Sequence, residues 1–268
     1  MQIELLRQRS DLEAIRTDWN RLPRPSTMQS PGWLIPWWDA YGGCDRELSV
    51  VAVRDRGKLI GLAPWYAEGS SRARRLRWLG DGRACSDHAT ILTDPESRAV
   101  TTRVLVDWVS ERLEHDWRQI ALESVDSDDV VVADLAAALA ERGQPITRRP
   151  EPGSCCIELP ATWEQYLAGV SKNHRKKCRR IEKQLLDTGR AETRILNTSS
   201  DCLAALEQLA ALHGERRRTL GEAGAFDDAR FRAFHAAAIA QLADHGDARL
   251  RLLSVDGETV AAEYVLQS

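Results

Sequence analysis

The densest group of positively charged side chains lies between residues 172 and 183, and it is the first stretch that suggests binding chemistry. Seven cations there accompany one acid, Glu182, in a chain whose formal net charge is -3. A phosphate, a carboxylate or an acidic polymer would be attracted to such a segment. We expect the contacts to come from Lys172, His174, Arg175 and Lys176. The alternative is an ordinary solvated helix face.

The same run has an apolar stripe at helical spacing. Ser171 can cap the start of a helix, and Gly189 can end it. One side of this helix would carry Leu167, Val170, His174, Cys178, Ile181 and Leu185. We expect that side to face the core while the cations point outward. His174 would then be either a packed core histidine or a buried ligand.

Three further places carry polar residues of chemical interest. Asp87 and His88 follow a glycine-rich loop, and His213 precedes a predicted loop that starts at Gly214 and contains Arg217 within three consecutive arginines. Glu263 and Tyr264 lie on the last predicted strand. For each of these, an ordinary structural role is the alternative to a functional one. No G-x-S-x-G sequence is present, which disfavours a serine hydrolase.

Composition limits the class of protein. The chain has 268 residues, 43% of them hydrophobic and 29% charged, which is globular and leaves room for two domains. Its six cysteines show no zinc-like spacing, so we expect them to be reduced and mostly buried; a disulfide between the adjacent Cys155 and Cys156 would need an oxidising compartment. The chain shows neither a signal peptide nor about 18 consecutive apolar residues, which predicts a cytoplasmic protein without membrane insertion. A pI of about 6.1 argues against general nucleic-acid binding.

The hydrophobic patterning predicts a mixed α/β chain with a boundary near residue 153. Before the boundary it predicts helices from Ser10, from Ser30 and after Pro95, a β-hairpin over 48–66, short strands near 75 and 119, and a helix over 129–142. A proline-containing loop over 145–152 then separates a first domain, 1–153, from a second, 154–268. The second domain is predicted to contain a helix from Thr162, the basic helix, a helix from Ser200, a helix over 231–242 and a hairpin over 248–268.

The two hairpins resemble each other. Each has a strand, an acidic turn with glycine and a strand of small residues, and helices precede both. We therefore expect a duplicated unit. The first copy continues for about 85 residues after its hairpin, whereas the second stops inside its second strand. Three interpretations are open: the chain is a fragment, the missing strands come from another subunit, or the duplication is illusory.

Short motifs in order along the chain resemble the CelD/BcsL-type acetyltransferases of the GNAT superfamily, which are related to the FemABX peptidyltransferases. The motifs include Ser30-Pro-Gly-Trp, Gly61-Leu-Ala-Pro-Trp-Tyr, Leu76-Arg-Trp-Leu-Gly, Thr162-Trp-Glu-Gln-Tyr-Leu, Ser171-Lys-Asn-His-Arg-Lys-Lys and Val260-Ala-Ala-Glu-Tyr. The resemblance implies two tandem GNAT-like domains, the second truncated. It also implies transfer of an acyl group from acetyl-CoA or another acyl-CoA to an amine or hydroxyl of a sugar, polysaccharide or envelope precursor, as in exopolysaccharide biosynthesis.

The resemblance also suggests roles for the candidate residues. Glu263 and Tyr264 would lie near the general base and the donor to the leaving thiolate. The signature for the pyrophosphate, Arg/Gln-x-x-Gly-x-Gly/Ala between a strand and a helix, would follow the second hairpin, and it does not occur there. Two alternatives follow: aminoacyl transfer from tRNA to a cell-wall precursor, as in FemABX proteins, or a non-catalytic homologue that binds an anionic partner through the basic helix.

Overall fold

The structure, a computed structural model, describes residues 1–43, 45–70, 73–84, 86–113, 115–151, 153 and 157–267. In these residues, helices accompany three β-sheets that contain antiparallel and parallel pairs, which confirms the predicted mixed α/β class. None of the described helices has the length and apolar character needed to cross a membrane. Cys44, Cys85, Cys155 and Cys156 lie outside the described residues, while Cys178 and Cys202 are free thiols.

The first part of the chain contains two sheets joined by one long, bent hairpin. Its elements are β1 Gln2–Leu6, α1 Arg9–Ala14, α2 Arg16–Trp19, α3 Pro31–Tyr41, β2 Arg46–Leu48, β3 Val50–Asp55, β4 Lys58–Ala63, β5 Trp65–Glu68, β6 Arg75–Trp78, β7 Leu92–Thr93, α4 Arg98–Arg112, β8 Gln119–Ile120 and α5 Val130–Glu141. The strand orders are β1-β3-β4-β7 and β2-β5-β6-β8. Pro64 has no N–H to donate, and the second arm of the hairpin is interrupted there.

Both faces of this first hairpin are covered, because alternate residues enter different cores. Val50 and Ala52 pack with α1 and α3 in one core. Val51 and Val53 pack with α4 in the other core. The turn between β3 and β4 has left-handed backbone at Arg56 and Gly57, as a two-residue type I′ turn requires.

The second part of the chain has one three-stranded sheet, β11-β10-β9. Its elements are α6 Trp163–Gly169, α7 Lys172–Ile181 with a π-helical turn Glu182–Leu186, β9 Ala191–Leu196, α8 Ser199–Thr219, α9 Ala229–Leu242, β10 Ala248–Val255 and β11 Glu258–Leu266. Helices α8 and α9 cover one face of this sheet. The turn at Asp256 and Gly257 has the same left-handed backbone as the first hairpin turn.

Helix α8 is longer than the sequence predicted. The loop expected from Gly214 is wrong, because the helix continues through Gly214 and the three arginines to Thr219. One glycine inside a helix costs only about 1 kcal/mol relative to alanine, so the rest of the helix can retain it. The helix ends before Gly221, which has a left-handed backbone.

The two parts of the chain meet where α3 packs against α9. Phe234, Ala238 and Leu242 of α9 belong to the same core as Trp33 of α3. The ring centroids of Trp33 and Phe234 are 4.7 Å apart in an edge-to-face arrangement. This contact holds α9 against the first part of the chain.

Candidate functional site

A cleft of about 240 Å³ lies where the start of α9 meets the end of α3. It is lined by Trp37, Tyr41, Arg46, Asp81, Gly82, Arg83, Asp228 and Arg230. The lining combines aromatic rings with cations and carboxylates from both parts of the chain. Such a mixture suits a polar organic ligand that has a ring face and charged groups.

The wall formed by the first part of the chain is fixed by contacts of Arg46. Its guanidinium carbon lies 5.7 Å from the Trp37 ring centroid and 5.2 Å from that of Tyr66. Arg46 also donates a hydrogen bond of 2.9 Å to the carbonyl of Tyr41. Cation–π and hydrogen-bond contacts together hold the positive charge at the cleft wall.

Asp81 is the most enclosed acid of the cleft, with 10% of its side chain exposed. It lies between two glycines with left-handed backbone, Gly80 and Gly82, in the loop after β6. Its carboxylate accepts hydrogen bonds from Arg77 and, at 2.9 Å, from the hydroxyl of Tyr66. Burial raises the pKa of Asp81, and the bonds from Arg77 oppose that rise. A carboxylate with a raised pKa is suited to accept a proton.

An ion pair between Arg83 and Asp228 connects the two parts of the chain at the cleft. Asp228 caps α9, and its side chain accepts hydrogen bonds from the backbone N–H groups of Arg230, at 2.8 Å, and Phe231. These backbone bonds lower the pKa of Asp228, and Arg83 lowers it further. Asp228 is therefore an ionised structural group, whereas the exposed side chain of Arg230 can meet an anion.

An aromatic cluster beside the cleft encloses His235 of α9. The ring contacts Trp33, Phe226, Phe231, Phe234 and Tyr264 at centroid distances between 4.3 and 5.8 Å. His235 is 7% exposed, and neither ring nitrogen has a hydrogen-bond partner among the described residues. Burial lowers the pKa of His235 to about 4, so the ring is neutral near pH 7. His235 thus acts as an apolar packing group.

The two predicted residues of the last strand point to opposite faces. The Tyr264 ring packs 5.6 Å from His235, and its enclosed hydroxyl has no partner within the described part of the chain. Burial raises the pKa of Tyr264. Glu263 is exposed and pairs with Arg251 of β10 at 3.5 Å. The structure therefore does not bring Glu263 and Tyr264 together.

The predicted histidines outside the basic helix have partners. The Nε2 atom of His213 accepts a hydrogen bond of 3.1 Å from the N–H of Ala225. The Nδ1 atom of His88 lies 2.9 Å from both carboxylate oxygens of Asp126. Asp87 is exposed, and its carbonyl accepts a bond from Gln29. None of His213, Asp87 and His88 is among the residues that line the cleft.

The basic helix is rotated relative to the prediction. His174 and Ile181 are exposed, so their assignment to a buried stripe is wrong. The partly buried residues are Arg175, Cys178, Glu182 and Leu185. Arg175 and Glu182 can be on this side because both have hydrogen-bond partners on α6, which satisfies their polar groups.

The other cations predicted to bind an anion differ in whether they already have a partner in the described residues. Arg175 donates to the carbonyls of Leu167, Ala168 and Val170 at the end of α6, so its guanidinium is used structurally. Arg217 pairs with Glu222 at 2.5 Å. Lys172 and Lys176 are exposed and pair with no acid in the described residues.

Sequence reasoning missed the cleft residues. Arg46, Asp81 and the segment 228–230 are far apart in the sequence and belong to no short motif. The available signals were the Gly80-Asp-Gly82 sequence, which places an acid in a tight turn, and the aromatic-rich segment from Ser30.

A second cavity, of about 410 Å³, lies at the opposite ends of α3 and α9. It is lined by Arg16, Asn20, Arg24, Ser30, Gly32, Gln241, Leu242, His245 and Asp247. No group of His, Cys, Asp or Glu suited to a metal ion occurs among the described residues.

The start of a helix is a place where backbone N–H groups could bind the diphosphate of an acyl-CoA. Side-chain oxygens already cap several helix starts: Ser171 at α7, Thr198 at α8 and Asp228 at α9. At α8, Asp244 also accepts from the N–H of Ser199 at 2.7 Å. Asp244 at the start of α8 and Asp228 at the start of α9 are negatively charged, so they would repel a phosphate from the N–H groups there. We therefore assign none of the described residues to the binding of an acyl donor.

Comparison with known proteins gives a match of one family model to part of the chain and a likeness in fold to solved structures. Residues 172–268 match the family model of the acetyltransferase (GNAT) domain. No curated protein matches the chain in sequence.

Two solved structures share the fold over nearly the whole chain. FemX is similar with a TM-score of 0.55 and 16% identity, over 94% of this chain and 57% of the FemX chain. A conserved protein of unknown function from Bacteroides thetaiotaomicron is similar with a TM-score of 0.50 and 14% identity, over 98% of this chain and 75% of that one. The chain thus spans little more than half of the FemX chain. The predicted GNAT-like α/β fold is confirmed.

Proposed function

We propose that this protein is an acyltransferase that moves an acetyl or other acyl group from acyl-CoA to an amine or hydroxyl of a sugar, polysaccharide or envelope precursor. The match of residues 172–268 to the GNAT acetyltransferase domain supports the reaction class and acyl-CoA as co-substrate. The observation that carries the acceptor site is the cleft between α3 and α9, with the enclosed carboxylate of Asp81 in its wall.

The cleft supports a saccharide acceptor with an anionic substituent. Tyr41 offers an aromatic surface, and Arg230 offers a cation that pairs with no acid in the described residues. Asp81 accepts the proton that the amine or hydroxyl loses as its nitrogen or oxygen bonds to the acyl carbon. The carbon–sulfur bond of the thioester breaks in the same transfer, and CoA leaves as a thiolate that takes a proton from solvent. Each Asp81 oxygen has one described hydrogen-bond donor and a further lone pair for this proton.

A tandem arrangement, with GNAT-like domains at 1–153 and 154–268, is part of the proposal. Its support is the matching pair of hairpins, each with two left-handed residues in the turn and helices before it. A CelD/BcsL-type specificity, a role in exopolysaccharide biosynthesis and a cytoplasmic location complete the proposal.

The experiment is an assay of CoA release with the full-length protein. Acetyl-CoA is mixed with a panel of neutral sugars, amino sugars and uronic acids, and free CoA is measured with and without each acceptor. We expect release that depends on the acceptor, strongest for acceptors with an anionic group. The proposal fails if no acceptor increases release and acetyl-CoA does not raise the melting temperature.

The second candidate is aminoacyl transfer from tRNA to a cell-wall precursor. The fold likeness to FemX over 94% of this chain favours it, as do the unpaired cations of α7. The discriminating experiment replaces acetyl-CoA with aminoacyl-tRNA and follows loss of the aminoacyl ester. Turnover with aminoacyl-tRNA and none with acetyl-CoA would establish this candidate instead. Turnover with neither would favour a non-catalytic homologue.

A further inference from the structure

Helices α6 and α7 form a tightly fastened unit, which we call the basic hairpin (Trp163–Leu186). At one end Arg175 binds three carbonyls at the end of α6, the shortest bond being 2.6 Å. At the other end the Trp163 indole donates a bond of 2.5 Å to Glu182. Trp163 also stacks on Tyr166 at a centroid distance of 5.2 Å. The surface of the basic hairpin is therefore preorganised.

The outward side of α7 is rich in cations. Within the described residues, six of its side chains are exposed and form no ion pair: Lys172, Lys176, Lys177, Arg179, Arg180 and Lys183. The one acid of this stretch, Glu182, is turned toward α6 and bound by Trp163. At 1.5 Å per residue the cations extend over about 17 Å. Because the chain as a whole is weakly acidic, this side is the one that an anionic surface would attract.

Apolar side chains lie at the margin of these cations. Trp163 is 45% exposed, Ile181 is 41% exposed and Leu186 is 51% exposed. Trp163 is held at α7 by its hydrogen bond to Glu182. Aliphatic groups beside cations have no role in contacts with the phosphates of a nucleic acid. At a membrane they enter the boundary between headgroups and acyl chains, where tryptophan is also favoured.

We propose that the basic hairpin binds the surface of a membrane that contains anionic lipids. The six cations contact the lipid headgroups, and Trp163, Ile181 and Leu186 insert shallowly beside them. This binding is peripheral and holds the rest of the protein at the membrane surface. It does not depend on the acyltransfer proposed above.

The test is co-sedimentation of the full-length protein with vesicles. One set contains phosphatidylcholine alone, and the other contains phosphatidylcholine with about one third phosphatidylglycerol. We expect binding only to the second set, and we expect added salt to weaken it. Each membrane-facing cation contributes a factor of about five in binding. The triple variant Lys176→Gln, Arg180→Gln, Lys183→Gln should thus bind about a hundredfold more weakly.

The matched control removes three exposed cations elsewhere, which also pair with no acid in the described residues: Arg103→Gln, Arg216→Gln, Arg218→Gln. It changes the net charge equally and should retain most of the binding. Circular dichroism verifies that both variants fold. Equal loss in the two triple variants would mean that net charge alone decides, which overturns the proposal.

A second variant distinguishes a membrane from a nucleic acid. Ile181→Gln with Leu186→Gln keeps every cation and should weaken vesicle binding by at least tenfold. Binding of a single-stranded RNA oligonucleotide to this variant should match that of the wild type. Unchanged vesicle binding in this variant, or wild-type binding to RNA but not to anionic vesicles, would overturn the proposal.

Discussion

The two β-hairpins of this chain, β3–β4 and β10–β11, have the same turn but very different surroundings. Strands β3 and β4 have pairing partners on both sides, and their two faces enter two separate cores. In the described part of the chain, helices cover strands β10 and β11 on one face only. Val260 of β11 is 48% exposed, whereas Leu62 of β4 is completely buried.

This difference shows that the hairpin itself does not determine what each part of the molecule does. The first hairpin is a core element that holds the loop of Asp81 and the side chain of Arg46 in place. The second hairpin supports α8 and α9, and α9 contributes Asp228 and Arg230 to the cleft. The candidate site is formed where the rigid first part meets a helix of the second part.

The largest expected effect comes from truncating one residue in the second strand of each β-hairpin. Leu62→Ala should lower the free energy of unfolding by about 3 kcal/mol, because it leaves a cavity in a packed core. Val260→Ala should change it by less than about 0.5 kcal/mol. Urea unfolding of both variants measures the contrast. Similar losses in the two variants would contradict the difference in burial.

The next effect is the pH dependence of stability that comes from His235, at the junction between the two parts of the chain. His235 has a pKa of about 4 in the folded protein, below its usual value of 6.5. Between these values the unfolded chain binds more protons, so stability falls as the pH falls from about 6.5 to 4. The difference corresponds to about 3 kcal/mol for this group.

His235→Phe should remove this part of the pH dependence, because phenylalanine fits an aromatic cluster and does not titrate. Urea unfolding of both proteins at several pH values isolates the contribution of His235 from that of the acids. An identical slope for the wild type and the variant would show that His235 is not buried as described.

A smaller effect is expected at neighbouring residues of the basic helix. Arg175→Gln should destabilise the end of α6 by about 2 kcal/mol, because three carbonyls lose a charged donor. Lys176→Gln should have no measurable effect on α6. Amide hydrogen exchange of residues 163–169 reports the difference. Equal protection in the two variants would argue against the fastening by Arg175.

The smallest effect on stability is expected at the exposed face of the sheet β11-β10-β9. Glu263→Gln breaks an exposed ion pair with Arg251, and such pairs contribute between about 0 and 1 kcal/mol. The melting temperature should therefore hardly change. A loss comparable to that of Leu62→Ala would show that this face is covered in the intact protein.

Much of the fold could be predicted from local patterns. Alternating apolar residues around short glycine turns identified both hairpins, and Ser171 identified the start of the basic helix. The rotation of that helix could not be predicted, because it depends on Arg175 and Glu182 finding partners on α6. Hydrophobicity alone would place both residues outside.

The candidate site was largely inaccessible to sequence reasoning. Asp228 has the local pattern of a helix cap, and Asp81 that of a turn residue. Only the packing of α3 against α9 brings them to one cleft. Tyr264 was predicted as a site residue because the family resemblance places catalytic groups near the last strand. Its ring packs into the aromatic cluster.

The most direct test of the acceptor cleft compares two acids in one assay. The rate constant kcat for acyl transfer from acetyl-CoA is measured for the wild type, Asp81→Asn and Glu263→Gln. We expect Asp81→Asn to lower kcat at least about a hundredfold, the usual contribution of a general base, and Glu263→Gln to leave it nearly unchanged. A large loss in Glu263→Gln with full activity in Asp81→Asn would place the chemistry on the open sheet face and contradict the cleft.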